Sequence, residues 1–406
     1  MNRIQAKVFF YSQPYYPDMN TTAIIMSDLA EDLAAFGLDV HVICAQPTYL
    51  ISKKSPKTEQ FNGVKIKRVW TFLFNKNRNI GRLFNSASCF LSMLRRLFFG
   101  NRNDFLVLNT NPALLPLLGF VANKLKRQKY VVLIHDLWPE LPVQVGMISR
   151  NGFIYRLIDF VNRLALRNAS GIVVLSETMK NMILRKVPEQ RKKVHVLPNW
   201  ADRNRIYPVR KEDNEILKRI GLKDKKVVMY SGNIGRYQPM EVMIQAAGEL
   251  RNRGDIAFIF AGDGGKKKQI ERMAASMRLD NVTFLPFQPL NRLAESLSMA
   301  DLSLVGIYPE NEGVIMPSKL YGLLAVGKPI ICVSGPESEV VGILKAADAG
   351  IHSSIDDPKE LARKIEGILD NEMRADEMGE NGRRYFSEHF ERKKITRQWK
   401  DMLTSI

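Results

Sequence analysis

Two doubly wound α/β domains facing a central cleft are what this sequence predicts, and three observations carry the prediction. Short β-branched and aromatic runs alternate with segments of helical period along the whole 406 residues. The runs are apolar on both faces, the pattern of parallel strands covered on each side by helices. The series breaks once, near residue 200, and then restarts; the chain is long enough for a full core on each side of that break. Ligands of such sheets sit beyond the carboxyl ends of the strands, so function is expected in the cleft.

The runs in the first half begin at Ala6 (AKVFFYS), Leu38 (LDVHVICA), Val64 (VKIKRVW), Asp104 (DFLVLNT), Tyr130 (YVVLIHD), Ser170 (SGIVVLS) and Lys193 (KVHVLPN). Between the first two, Thr21 to Gly37 repeats apolar residues at helical spacing and is closed by that glycine. A charged stretch without strand signal follows Pro198. The second series begins at Lys226 (KVVMYSG), Ile256 (IAFIFAGDG), Asn281 (NVTFLP), Ala300 (ADLSLVGI) and Gly327 (GKPIICVS). The expected division is residues 1–200, residues 201–385, and a closing helix over 386–406 that crosses back to the first domain.

The net charge of +18 is unevenly placed: residues 1–200 hold 28 Lys and Arg against 12 Asp and Glu, residues 201–406 hold 32 against 30. The first half therefore faces something anionic: nucleic acid, a phosphate-bearing substrate or a membrane surface. Nucleic acid is not expected, because no recognition motif accompanies the charge. Three scattered cysteines make neither a disulfide framework nor a metal spacing, and fit a reducing compartment. No secretory signal is read at the start. The most apolar run, Ala113 to Ala122, is too short to span a bilayer.

One segment combines apolar and basic character. From Asn79 to Arg102 the chain carries Arg82, Arg95, Arg96 and Arg102 and no carboxylate. Ile80, Leu83, Phe84, Ala87, Phe90, Leu91, Leu94, Leu97 and Phe98 recur at helical spacing, with Phe99 widening the stripe. A Leu/Phe face with basic flanks is the pattern of a helix lying in a membrane interface. Residues 75–103 are therefore expected to bind an anionic membrane peripherally, through Arg82, Arg95, Arg96, Phe98 and Phe99.

Three segments of the second half carry chemistry. Tyr230 to Leu250 is a strand, a glycine loop and a helix; Gly232 and Gly235 bring backbone close to a ligand, and Arg236 adds charge suited to a diphosphate. Gly262, Gly264 and Gly265 repeat the device, followed by Lys266 to Lys268, expected to be solvated. The third runs from Tyr308 to Gly335: Glu312 can accept sugar hydroxyls, and Ser318 and Lys319 open a helix where the lysine reaches a phosphate. No pair of aspartates at a strand end suggests a divalent metal.

Together these segments resemble the C-terminal domain of retaining glycosyltransferases of the GT-B fold, family four: the GNIGR loop, FAGDG, NVTFLPFQP, ADLSLV and the Glu312-to-Pro329 segment follow in that family's order. PYYPDMNTTA, HDLWPE and LPNWAD agree in the first half, so the resemblance covers nearly the whole chain. HDLWPE and MPSKLYGLLAVGKP look most like bacterial transferases of O-antigen, capsule and colanic acid assembly, including those handling fucosamine. The resemblance implies two Rossmann-like domains and metal-independent transfer from a UDP-sugar, without cofactor, to a polyprenyl-diphosphate-linked saccharide at the cytoplasmic face of the inner membrane. It implies that Gly235, Arg236, Ser318 and Lys319 hold the diphosphate, with Gly262, Gly264 and Phe287 at the nucleotide. Glu312 with His135 or Asp136 would meet the donor sugar or acceptor hydroxyl, and Asp18, Asn20 and Thr21 form an acceptor-side loop. The family's second glutamate falls at Tyr321-Gly322, which leaves ribose recognition open, and Gln238 and Pro239 stand where a lysine is usual. A sugar-nucleotide epimerase of the same architecture is the main alternative; a basic nucleic-acid binder is a weaker one.

Overall fold

The computed structural model describes residues 7–47, 55–74 and 79–406, leaving out the side chains of Asn79 and Arg82. The chain divides into two compact units, one of residues up to Pro198 with Gly313–Met316 and Lys393–Ile406, the other of Asn199–Glu312 and Pro317–Arg392.

The first unit holds strands β1 (Val8–Ser12), β2 (Val40–Cys44), β3 (Thr58–Phe61), β4 (Val64–Arg68), β5 (Phe105–Asn109), β6 (Tyr130–Ile134), β7 (Gly171–Val174) and β8 (Val194–Val196). They form one sheet in the order β3-β4-β2-β1-β5-β6-β7-β8, parallel except for the β3–β4 pair. All five residues of β6 are buried. Burying each large apolar side chain contributes about 1.5–3 kcal/mol. Helix α1 (Thr21–Ala35) starts where the Asn20 side chain accepts a hydrogen bond from the Ala23 N–H at 2.9 Å, and ends before Gly37, whose φ of +91° only glycine adopts readily.

Helices α2 (Asn79–Leu97), α3 (Pro116–Lys126), α4 (Glu140–Gln144), α5 (Phe153–Asn168) and α6 (Glu177–Lys186) follow. The β4–α2–β5, β5–α3–β6 and β6–α5–β7 crossovers all run the same way across the sheet. Right-handed connection therefore puts α2, α3 and α5 on one face, and α1 on the other.

Helix α2 buries a mixed polar and apolar face. It turns Asn85, Ser88, Cys89, Met93 and Leu97 to the interior, while Ile80, Leu83 and Leu91 are 70%, 68% and 62% exposed. Buried Asn85 bonds both the N–H and the carbonyl of Phe74, and the Ser88 hydroxyl accepts from the Phe72 N–H. Of the expected stripe, Ile80, Leu83, Phe84, Ala87 and Leu91 thus face outward, Phe90 and Leu94 are half-buried, and Leu97 is buried rather than on the outer face. One expectation is corrected: the helix ends at Leu97, and Phe98 and Phe99 lie in the turn after it rather than on the stripe. Lys126 stops the helix there, its Nζ donating to the carbonyls of Leu97, Phe98 and Gly100 at 3.0, 2.9 and 2.6 Å. Both phenylalanines remain exposed, as does Arg95, while Arg96 is half-buried and lies over the Phe99 ring. The Arg82 side chain and residues 75–78, also assigned to this surface, fall outside the described residues.

The second unit holds β9 (Lys226–Ser231), β10 (Ile256–Ala261), β11 (Val282–Leu285), β12 (Leu302–Gly306), β13 (Ile330–Val333) and β14 (Gly350–Ser353), all parallel in the order β11-β10-β9-β12-β13-β14. Its helices are α7 (Glu215–Arg219), α8 (Met240–Glu249), α9 (Lys267–Ser276), α10 (Leu293–Leu297), α11 (Lys319–Val326), α12 (Glu339–Ala347), α13 (Pro358–Leu369) and α14 (Glu372–His389). The last helix, α15 (Arg392–Ser405), is held within the first unit: Lys393 and Thr396 both bond the buried Asp32 of α1, at 2.6 and 2.9 Å. Among the described residues no helix is long and apolar enough to cross a membrane.

Candidate active site

The second unit gathers its loops at the carboxyl ends of β9, β10, β12 and β13. The loops after β9 and β10 are interlocked: the Gly232 N–H donates to Ala261, Ile234 to Asp263, and Lys266 back to Ile234, at 2.8, 2.9 and 3.0 Å. Glycine is required for this closeness. A Cβ on Gly262, where φ is +147°, would lie 1.9 Å from the Gly232 carbonyl oxygen, and one on Gly264, at +154°, would lie 2.4 Å from that of Ile234. Gly235 is buried, with its N–H donating to the Gln238 side chain at 3.2 Å. Arg236 projects into solvent and makes no hydrogen bond or ion pair among the described residues.

Lys319 is the unusual group. The residue as a whole is partly exposed, but its Nζ is sealed from solvent and has no hydrogen-bond partner among the described residues. That Nζ lies 3.5 Å from the centre of the Tyr230 ring and 2.9 Å from where a Gly232 Cβ would stand. Burial holds its pKa well below the lysine range. The first residue of α11, it follows Ser318, whose side chain makes no capping bond, so the positive end of the helix is left open. A buried donor without an acceptor is costly, and an anion at the glycine loop would remove that cost.

Glu312 follows β12, half-buried; its Oε1 accepts from the Gly335 N–H at 3.3 Å. Burial raises its pKa, and the bonds from Gly335 and Ser338 oppose that rise. Phe287, two residues past β11, is 59% exposed. Tyr321 is fully buried against Phe390 and Gly322 is buried beside it, so the pair at which the resemblance sets the family's second glutamate belongs to the core.

A second expectation is corrected in the lysine run. Lys266 is not solvated: its Nζ bonds Glu241 and the Tyr308 hydroxyl at 2.9 and 3.0 Å, pinning the β10 loop to α8 and to the β12 loop. Lys267 donates to the Gly262 carbonyl at 3.0 Å, and only Lys268 is exposed. A lysine directly after the Gly264-Gly265 pair was the available signal.

In the first unit His135 and Asp136 stand just past the end of β6. The Thr110 hydroxyl accepts from the His135 N–H at 3.2 Å. His135 Nε2 is buried without a partner among the described residues, and burial lowers its pKa to about 4, so the ring is neutral at pH 7. Burial raises Asp136 to about 6. Asp136 pairs in an antiparallel bridge with Ile315, and the Leu137 N–H donates to Val314 at 2.9 Å. Asn20 spends its side chain on capping α1, Asp18 is buried and Thr21 exposed. Among the described residues no three His, Cys, Asp or Glu side chains gather as metal ligands.

Two parallel doubly wound sheets, one with an anion-ready glycine cradle at its carboxyl edge, define a protein of the GT-B class. Residues 212–385 match the model of the glycosyl transferases group 1, and residues 21–200 that of the glycosyl transferase 4-like domain. The chain is 30% identical over 304 residues to the protein named as glycosyltransferase WbjE of Pseudomonas aeruginosa, covering 74% of each. It is 28% identical to WcaI of Escherichia coli strain K12, a protein named for colanic acid biosynthesis glycosyl transfer, over 89% of this chain and 91% of that one. Among solved structures, Anabaena Alr3699/HepE in complex with UDP and glucose superposes with a TM-score of 0.75 at 15% identity, covering 99% of this chain and 100% of that one. This chain belongs to the group 1 glycosyl transferases, and it is a glycosyltransferase.

Proposed function

We propose that the protein transfers a sugar, with retention, from a UDP-sugar to a polyprenyl-diphosphate-linked saccharide during bacterial surface polysaccharide synthesis. The observation that carries the donor half is the Lys319 Nζ, sealed beside Gly232 without an acceptor. A diphosphate supplies that acceptor. Arg236 on the same loop adds a second cation, and the open start of α11 with Ser318 adds helix N–H groups. Gly235, Gly262 and Gly264 let backbone approach, and Phe287 lies beside the base. UDP in the Anabaena structure supports the nucleotide.

As the glycosidic bond breaks, positive charge builds on the sugar ring and negative charge on the departing diphosphate. Lys319, held at the glycine loop, and Arg236, on that loop and without another partner among the described residues, answer the latter, which is where a transferase gains most. They supply the charge that a divalent cation would otherwise bring, so transfer needs no metal, and no cofactor beyond the substrate. The leaving phosphate takes the acceptor proton on the same face. Glu312 accepts sugar hydroxyls; His135, neutral at pH 7, and Asp136 serve the donor sugar and acceptor hydroxyl, and the loop of Asp18, Asn20 and Thr21 borders the acceptor.

The outward side chains of α2 and the basic Arg95 and Arg96 at its end suit an anionic lipid surface, which supports a peripheral location on the cytoplasmic face of the inner membrane. The name of WcaI, for colanic acid biosynthesis, supports a role in surface polysaccharide synthesis. N-acetylfucosamine or a related N-acetylated hexosamine in O-antigen or capsule is the sugar proposed. The test is a panel of UDP-sugars, UDP-N-acetylfucosamine included, incubated with bacterial membrane extract and scored for UDP release. Release without product on donor alone would mark hydrolysis; isomerised donor without acceptor would mark an epimerase.

A further inference from the structure

Helix α5 exposes a second apolar face. Phe153, Ile154, Leu157 and Phe160 are 77%, 57%, 49% and 64% exposed, at the spacing of a single helical stripe. Its opposite face is anchored: Asn162, Ala165 and Leu166 are buried, and Asn162 bonds the Trp138 carbonyl at 3.0 Å. The outward stripe is therefore not a packing error of a loose helix. Four large apolar side chains in one stripe exceed the scattered exposure normal for a soluble surface.

The surroundings of this stripe are basic. Arg150 and Arg156 are exposed, and neither forms an ion pair among the described residues. Helix α3, which packs against both α5 and α2, carries exposed Lys124 and is followed by exposed Arg127. The nearby acids are already engaged: Asp159 by Arg163 and Lys186, Glu140 by Lys186 and Tyr155. An apolar stripe flanked by uncompensated cations is complementary to an anionic bilayer. It is poorly suited to a second copy of this chain, since a two-fold interface would bring the stripe's own arginines together.

We infer that α5 is a membrane-inserting helix in its own right, so that α2 and α5, on the same sheet face with α3 between them, dock the first unit at two points on an anionic lipid surface. This deepens the proposed peripheral location, which invokes α2 alone. Two contacts fix an orientation, whereas one leaves the enzyme free to roll about the helix axis.

The test measures sedimentation with vesicles of phosphatidylcholine alone and of phosphatidylcholine with phosphatidylglycerol. The full chain is compared with an α5 variant (Phe153→Ser, Ile154→Ser, Leu157→Ser, Phe160→Ser) and an α2 variant (Leu83→Ser, Leu91→Ser). The α5 variant, at unchanged thermal stability and UDP binding, is expected to need about tenfold or more lipid for half-binding to the anionic vesicles. Because the described cysteines Cys44, Cys89 and Cys332 are all buried, a Phe153→Cys variant labelled with an environment-sensitive fluorophore should also shift to the blue on those vesicles. Unchanged binding by the α5 variant together with an unshifted label overturns the inference. A full chain that is dimeric in solution, and that the α5 variant makes monomeric, also overturns it, since the stripe then covers a second copy. Loss of binding in the α5 variant but not in the α2 variant sustains α5 and removes α2 from the proposed location.

Discussion

Replacing Lys319 with methionine should make the ligand-free protein more stable while removing its affinity for UDP. Methionine matches the length and volume of the lysine stem, so the packing beside Tyr230 is kept. What it removes is a sealed amine without an acceptor, a group that costs about 1–3 kcal/mol when neutral and more when charged. Burial favours the neutral amine, so little cation–π attraction to the Tyr230 ring 3.5 Å away is lost with it. The net gain is about 1 kcal/mol or more, and the melting transition should move up by about 2–4 °C or more. In the parent, UDP at a hundred times its dissociation constant adds about 2.7 kcal/mol, which raises the transition further. The variant should lose that second rise. Thermal scanning of parent and variant, with and without UDP, reads both effects. A variant that melts lower than the parent, or that gains as much from UDP, would refute the reasoning.

Gly262→Ala should disrupt the second unit, because its Cβ would overlap the Gly232 carbonyl oxygen at 1.9 Å; the melting transition should fall by several degrees or vanish. The pH dependence of stability should change in Asp136→Asn. In the parent, raising pH from about 4 to 6 costs stability through Asp136, whose folded pKa is raised from 3.8 to about 6. Over nearly the same window stability is gained through His135, whose folded pKa is lowered from 6.5 to about 4. These slopes oppose each other. The variant keeps only the His135 slope, so denaturant titrations at pH 4.5 and 6.5 should show stability rising with pH by about 2 kcal/mol more than in the parent. Equal slopes would mean that Asp136 is not held protonated. Transfer should persist in EDTA, and a full loss restored by magnesium or manganese would refute the metal-independent reading.

The alternation of apolar runs and helical segments was enough to read two doubly wound sheets, because buried parallel strands such as YVVLI have a composition that solvated segments lack. The two strands that escaped, β3 and β14, lie at sheet edges. TEQF is polar because only part of it is covered, and GIHS holds a single β-branched residue. Asn62-Gly63, both at positive φ, is the hairpin signal that could have found β3. For the site, glycine spacing pointed to the cradle. That Lys319 is sealed under the loop, over Tyr230, depends on tertiary packing to which a local pattern is blind. Likewise, Lys266 looks like part of a charge run until Glu241 and Tyr308 are brought to it. The stripe of α2 was visible by periodicity, but which face turns inward is decided by Asn85 and Ser88 bonding the 72–74 backbone. Periodicity alone favours burying the larger side chains.

The central claim, glycosyl transfer driven by cations at the donor diphosphate, is met most directly by UDP release from a UDP-sugar panel on membrane extract, in EDTA, by the parent and by Arg236→Ala and Lys319→Ala. The account predicts sugar-dependent release by the parent, and a fall of about a hundredfold or more in each variant. Near-parental release by both variants, at equal folding, would contradict it.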